Sequence, residues 1–308
     1  VDANNATKPD GSVHRSAPNA SAHMNSGLGC AMGPFTVSRA GGGGMSYRQI
    51  QLAGLDKPTR GVRTEQIGWQ AELDAYALLL APHAVFSHTT AAKILDLPLP
   101  KIEPRPFHVT VPPGKARGSR QGITWHSREI AHSVIVHKGM RVTDGLRTWQ
   151  DLAGSLSVPD LVAIADVLLR RRHCTREELL DTSGVRHARS LSKAAELADP
   201  GSASAQESLF RVAMIQAGLP RPELNKDIIE QGAWLGCGDF VWEPFRVIAD
   251  YDGEHHDQGR QRHQDAATRN DYAAHGWRHV VITKEMTRRI HVAVGFVSEA
   301  LRQQGWRP

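Results

Sequence analysis

The period of apolar and polar positions changes several times along the last hundred residues, and each change marks an element. Residues 205–308 read in order as follows: helix "QESLFRVAMIQAG", closed by Gly218 and Pro220; strand "KDIIE"; turn "QGAW"; strand "LGCGDFVW"; a turn at "EPF"; strand "RVIADYD". A polar loop follows, then helix "QRHQDAATRNDYAAHG" closed by Gly276, strand "WRHVVIT" and helix "TRRIHVAVGFVSEALRQQG". Three strands joined by tight turns, then a crossover helix to a fourth, predict a mixed sheet with helices on both faces.

Upstream the texture differs. "RPFHVTVPPG", "GITWHS" and "VIVHKGMRVT" alternate like strands within 101–148, and "TDGLRTWQDLAG" opens a helix. "VPDLVAIADVLLRRRHC" places Leu161, Ile164, Ala165 and Leu168 on one helical face, with Arg170, Arg171 and Arg172 at the end, where they suit the helix dipole or could touch phosphate. "TREELLDT" carries a capping box, Thr175 with Glu178. Nearer the front, "GGGG" at 41–44 predicts a break, Ser46 a helix start, Gly54 its end, and Arg60, Gly61 and Arg63 an exposed basic wing. Helices are expected over 69–81 and over "HTTAAKILDL", with Thr89 a candidate cap. The expected fold class is α/β, α+β overall. Its divisions are 1–40 disordered or preceding the true start, 41–100 winged-helix-like, 101–200 a small α+β connecting domain, and 201–308 the mixed-sheet domain.

Composition narrows the class. Of 308 residues, 40% are hydrophobic and 22% charged, an ordinary balance for a globular protein, and no run of about 18 apolar residues suggests a membrane span. The polar start lacks a secretory pattern. Cys30, Cys174 and Cys237 are far apart with no CxxC pair, which argues against a zinc ribbon or disulfide framework and for a reducing cytoplasm. Net charge is +5, but residues 202–308 hold 13 basic and 14 acidic residues, so the whole excess lies in the front two thirds. That suits a front part that touches a polyanion and a rear part lined with acids.

Those acids are ordered. Glu207 sits in the first rear helix, Asp239 on the second strand, and Asp250 and Asp252 at the end of the third. Strand alternation points Asp250 and Asp252 to one face and Tyr251 to the other. If the two strands form an antiparallel hairpin, Asp239 comes beside Asp250. Converging carboxylates repel one another unless a divalent cation neutralises them, and hard oxygen ligands select Mg²⁺ or Mn²⁺. Such a site can activate water and hydrolyse a phosphodiester. Asp252-Gly253 is also a common turn dipeptide, and His255 and His256 can be plain loop residues.

The run of Glu, Gly-x-Asp-Phe, strand-Asp-Tyr-Asp-Gly-x-x-His, Asp-x-x-x-Arg and Gly-Trp-Arg across 202–304 resembles the PD-(D/E)XK nuclease superfamily, and within it the DUF559 group and its Vsr-like endonuclease relatives. The resemblance implies Asp239 as principal metal ligand and Asp250 as second acid. It implies Glu207 as a supporting acid, and His256, or His255, as proton-transfer group. Asp252 stands where that superfamily carries a lysine. Arg269, four residues after Asp265, would bind the scissile phosphate or pair with that acid. The stretch 45–155, with "MSYRQIQLAGLDKPTRGVRT", "VFSHTTAAKILDLPLP" and "GMRVTDGLRTWQDLA", resembles the AbiEi-type antitoxin architecture, which has an N-terminal winged helix. In that reading Arg48, Arg60 and Arg63 contact DNA phosphates. The expectation is a Mg²⁺-dependent endonuclease acting on double-stranded DNA, with no membrane partner and with a homodimer as an option. A non-catalytic DNA-binding regulator is the second expectation, and an RNA-directed nuclease the third.

Overall fold

The computed structural model describes residues 33–43, 46–103, 105–252 and 260–308. Two compact units divide at Leu80/Ala81. In the first, β1 (Phe35–Thr36) pairs antiparallel with β2 (Val62–Arg63). The helices α1 (Val37–Gly42), α2 (Tyr47–Leu52) and α3 (Trp69–Ala77) complete it. Ser46 caps α2 through a capping box with Gln49, and Gly54, at φ +66°, turns the chain away. The break expected at 41–44 begins late: α1 runs through Gly41 and Gly42 before Gly43 ends it. Of the segment expected to be disordered, residues 1–32 lie outside those described, and 35–40 form β1 and most of α1.

The second unit opens with β3 (Val85–Phe86) and α4 (His88–Ile94), followed by β4 (Phe107–Val111), β5 (Ile123–Ser127), β6 (Val134–His137) and β7 (Met140–Thr143). The five strands form one sheet in the order β5-β4-β3-β7-β6, with β4–β5 and β3–β7 parallel. Residues 85–94, expected in a winged-helix domain ending near 100, therefore belong with the strands of 107–143. Helices α5 (Gly145–Leu152), α6 (Val158–Arg170), α7 (Arg176–Leu180) and α8 (Ala188–Leu197) follow. Leu161, Ile164, Ala165 and Leu168 are fully buried, as the helical period predicts. The Thr175–Glu178 capping box is formed. Arg170 and Arg171 donate to the carbonyls of Ser202 and Leu95, so these two arginines fasten loops as well as closing α6.

The rear elements keep the predicted order. They are α9 (Ala205–Gln216), β8 (Glu223–Glu230), β9 (Ala233–Trp242), β10 (Val247–Asp252), α10 (Arg260–Ala274) and β11 (Arg278–Thr283), then a short α11 (Lys284–Thr287) and α12 (Ile290–Gln303). The sheet order is β11-β10-β9-β8, antiparallel except for β10–β11. A two-residue turn at Gln231 and Gly232, both at positive φ, links β8 to β9. Phe210 and Met214 of α9 and Val297 and Leu301 of α12 pack with Phe240, Val247, Ala249 and Ile282 on one face. Tyr251 joins that cluster, as alternation predicts. Tyr272 and Trp277 cover Ile228, Val241 and Ile248 on the other face.

A buried ion pair ties α6 to α9. Arg211 Nη2 lies 2.6 Å from Asp166 Oδ2, with side chains 2% and 0% exposed. Arg211 also donates to Ser202 Oγ (3.3 Å) and to the Leu197 carbonyl, and Asp166 Oδ1 accepts from the Asp199 amide (2.6 Å). No described helix is long and apolar enough to cross a membrane.

Candidate functional site

The antiparallel register of β9 and β10, with Ala249 opposite Phe240, brings Asp239 beside Asp250 one step further on. Each carboxylate is held by the other's strand. Asp250 Oδ1 accepts from the Asp239 amide (2.9 Å), and Asp239 Oδ2 accepts from the Tyr251 amide (2.7 Å). Close approach at this point needs Gly238, because a Cβ there would fall 2.7 Å from Ile248 and 2.9 Å from Val241.

A residue not singled out in the sequence completes the pair. His279, on the parallel strand β11, sets Nε2 2.7 Å from Asp250 Oδ2, and its ring meets Tyr272 edge-on at 5.4 Å between centroids. Its Nδ1 is buried with no hydrogen-bond partner among the described residues. Burial, then the negative charges of Asp250 and Glu207, push the Asp239 carboxyl up to about 6, against the opposing pull of the Tyr251 amide and His279.

The other candidates stand at varying distances from this pair. Glu207 is 7% exposed, and its Oε2 accepts from the Ala203 amide (2.8 Å) and Asn225 Nδ2 (3.2 Å). It therefore anchors the start of α9, while its charge still reaches Asp239. Asp252 shares the Asp250 face but is exposed at the strand end, opposite Thr283. His255 and His256 lie outside the described residues, as does the Asp265 side chain, so the Asp265–Arg269 pairing is not addressed. Arg269 is exposed on α10. Glu207, Asp239, Asp250 and Asp252 do not crowd around one point. Among the described residues, the group of three or more His, Cys, Asp or Glu whose ligand atoms all lie within 4.8 Å of one another is His88, His108 and His126.

In the first unit Arg48 and Arg60 are exposed. Arg63 differs. It is 7% exposed and donates to its neighbour's carbonyl, Val62 O (2.8 Å), because the β1–β2 pairing turns it inward. It does line a cleft of about 390 Å³ together with Tyr47, Lys57 and Arg60, so the basic character expected of the wing is gathered in a recess.

The fold and site thus define an α+β protein whose rear mixed sheet carries a hydrogen-bonded Asp–Asp–His group at the end of a central strand. The chain is 31% identical over 212 residues to Uncharacterized protein Rv2248 and Uncharacterized protein MT2308, from two strains of Mycobacterium tuberculosis. The match spans 66% of this chain and 76% of each relative, and the chain belongs to the family of these mycobacterial proteins. No protein-family model matches it. A solved structure, that of the RV2827C protein from Mycobacterium tuberculosis, aligns over 65% of this chain and 85% of its own, with TM-score 0.39 and 14% identity.

Proposed function

We propose that the rear sheet is the hydrolytic centre of a Mg²⁺- or Mn²⁺-dependent endonuclease acting on DNA. The observation that carries this reading is the Asp239–Asp250 pair. Two carboxylates are fixed side by side, and burial and like charge make the Asp239 anion costly where it stands. The residues fit a hard divalent ion. An ionised carboxylate offers about four acceptor sites, and the structure assigns one partner to Asp239 and two to Asp250. Asp239 and Asp250 would hold the ion, which when bound supplies charge neutralisation and a more acidic water. His279 fixes Asp250 through a hydrogen bond at Oδ2. Glu207 keeps the start of α9 in place and adds negative potential. Asp252, exposed at the end of β10, and His256, four residues later in the sequence, stay candidates for moving a proton. Arg48 and Arg60, with the recess that includes Lys57 and Arg63, would engage backbone phosphates, contacts that position a duplex without reading its sequence.

The test is supercoiled plasmid incubated with the purified chain, with and without Mg²⁺ or Mn²⁺, beside Asp239→Asn. Metal-dependent nicking lost in the variant supports the reading. Nicking by Asp239→Asn at the wild-type rate refutes it.

A second reading is a DNA-binding regulator that keeps this sheet as scaffold. It is favoured by one observation: an exposed aspartate, Asp252, stands where the resemblance implies a lysine. Calorimetric titration with Mn²⁺ separates the two. Absence of binding in a chain that still shifts duplex DNA favours the regulator.

A further inference from the structure

We propose that His88, His108 and His126 form a binding site for a divalent transition-metal ion of the zinc class, with Asp151 as its positioning carboxylate. The site lies in the five-stranded sheet, is separate from Asp239 and Asp250, and does not depend on the nuclease reading.

Three elements build it. His88 begins α4, just after β3, and holds φ at +52°, in the left-handed region that a non-glycine residue occupies at a cost. His108 lies on β4 and His126 on β5. In their parallel register Thr110 faces His126, so His108 and His126 are diagonal neighbours on one face. One ring nitrogen of each lies within 4.8 Å of those of the other two, and all three residues are half-buried.

The spacing suits a small ion. His108 Nδ1 and His126 Nε2 are 3.0 Å apart. Two imidazole nitrogens at about 2.0–2.1 Å from a tetrahedral Zn²⁺ stand roughly 3.3 Å apart, so a slight opening admits the ion in place of the hydrogen bond. His88 lies flat on His126, with centroids 3.8 Å apart, and would turn edge-on to contribute its nitrogen.

The surroundings are those of a metal-binding imidazole. In its stacked pose His88 Nδ1 is 3.0 Å from Ser87 Oγ, and Asp151 Oδ2, at 3.9 Å, lies beyond hydrogen-bond range but near enough to accept from Nδ1 once the ring turns and Nε2 meets the ion. Asp151 is 4% exposed and is itself fixed by Arg147, with Arg128 at 3.7 Å. Thr110 donates to Ser87 Oγ (2.8 Å), and the His108 amide donates to Thr90 Oγ1 (2.8 Å), so the frame is already connected. Neutral imidazole is the form that binds a metal ion, and burial first, then repulsion among the rings themselves, holds His88 and His108 below their ordinary range. Borderline nitrogen donors select Zn²⁺, Co²⁺ or Ni²⁺ over Mg²⁺. Three protein ligands leave a fourth position for water or a substrate atom.

The experiment uses the full chain stripped with chelator, then titrated with Co²⁺ and Zn²⁺. Binding is read by calorimetry, by the visible absorption of Co²⁺ and by thermal shift. The expected result is one Co²⁺ displaced by Zn²⁺, with a nitrogen-ligand spectrum. His108→Ala and His126→Gln would each abolish the spectrum, while Asp239→Asn would leave it intact. Asp151→Asn is expected to keep the spectrum and weaken binding about 10–100-fold. Circular dichroism establishes that each variant is folded. Absence of stoichiometric binding in the wild type overturns the proposal, as does binding unchanged in the folded His108→Ala and His126→Gln variants.

Discussion

Replacing Arg211 by methionine is the sharpest probe of how the rear sheet is joined to the helices before it. The guanidinium sits 2.6 Å from Asp166 in a site where neither side chain reaches solvent, and it also serves Ser202 Oγ and the Leu197 carbonyl. Methionine fills much of the volume but leaves the Asp166 carboxylate with only the Asp199 amide and Ser208 as polar partners. Burial already holds the Asp166 carboxyl above its ordinary range despite Arg211, which shows how poorly the charge is tolerated there. Breaking a buried pair from one side costs about 3–5 kcal/mol. At about 2–4 °C per kcal/mol for a unit of this size, melting falls by roughly 6–20 °C. Asp166→Leu combined with Arg211→Met removes both charges, and its cost should be well below the sum of the two single changes. Urea unfolding followed by tryptophan fluorescence measures all four corners of the cycle. A cost for Arg211→Met under about 1 kcal/mol, or strict additivity in the double variant, would refute the reasoning.

Asp239 gives a pH prediction. Its folded-state carboxyl is raised, so this group binds its proton more tightly in the native chain than in the unfolded one, and its contribution to stability is lost as pH rises from about 4 to about 6. Solvent screening at this half-buried carboxylate keeps the contribution below the ~3 kcal/mol that 1.36 kcal/mol per pKa unit would give. In chelator, Asp239→Asn should flatten this slope, and an unchanged slope in the variant would show that the carboxylate is not strained. Gly236→Ala would set a Cβ 2.2 Å from the hydroxyl of the buried Tyr272, so unfolding should become easier by about 1–3 kcal/mol in the same urea assay. Cys174, buried with its thiol pushed up to about 11, should resist alkylation at pH 8 until the chain is denatured, as mass spectrometry of the labelled peptide would show.

Local signals carried the rear architecture well. Gly218, the Gln231-Gly232 turn and Gly276 punctuate elements whose period is plain, and Tyr251 packs on the face that alternation assigns. What escaped was non-local. β3 has only two residues, too few to show a period, yet it is the central strand of its sheet, so 85–94 was assigned to the wrong neighbours. Arg63 looked exposed because a basic strand reads as a wing until its partner β1 is known. His88, His108 and His126 are spread over nearly forty residues and three elements, with none of the short spacing that marks a ligand set. His279 was invisible for a related reason, since it meets Asp250 only across a parallel pairing that α10 closes.

That parallel pairing makes register a control on charge. Asp250 is opposed by Val281, and the imidazole that reaches it comes from the residue aligned with Ile248. Side chains alternate across a strand, so a slip of β11 by a single position would turn His279 to the opposite face and bring Arg278 or Val280 to the carboxylate's side. One outcome is a permanent cation and the other a bare acid. The length of the crossover between β10 and β11 therefore acts as an electrostatic setting. Insertions or deletions around α10, outside the strands that carry the aspartates, would retune the charge of the pair without altering Asp239 or Asp250.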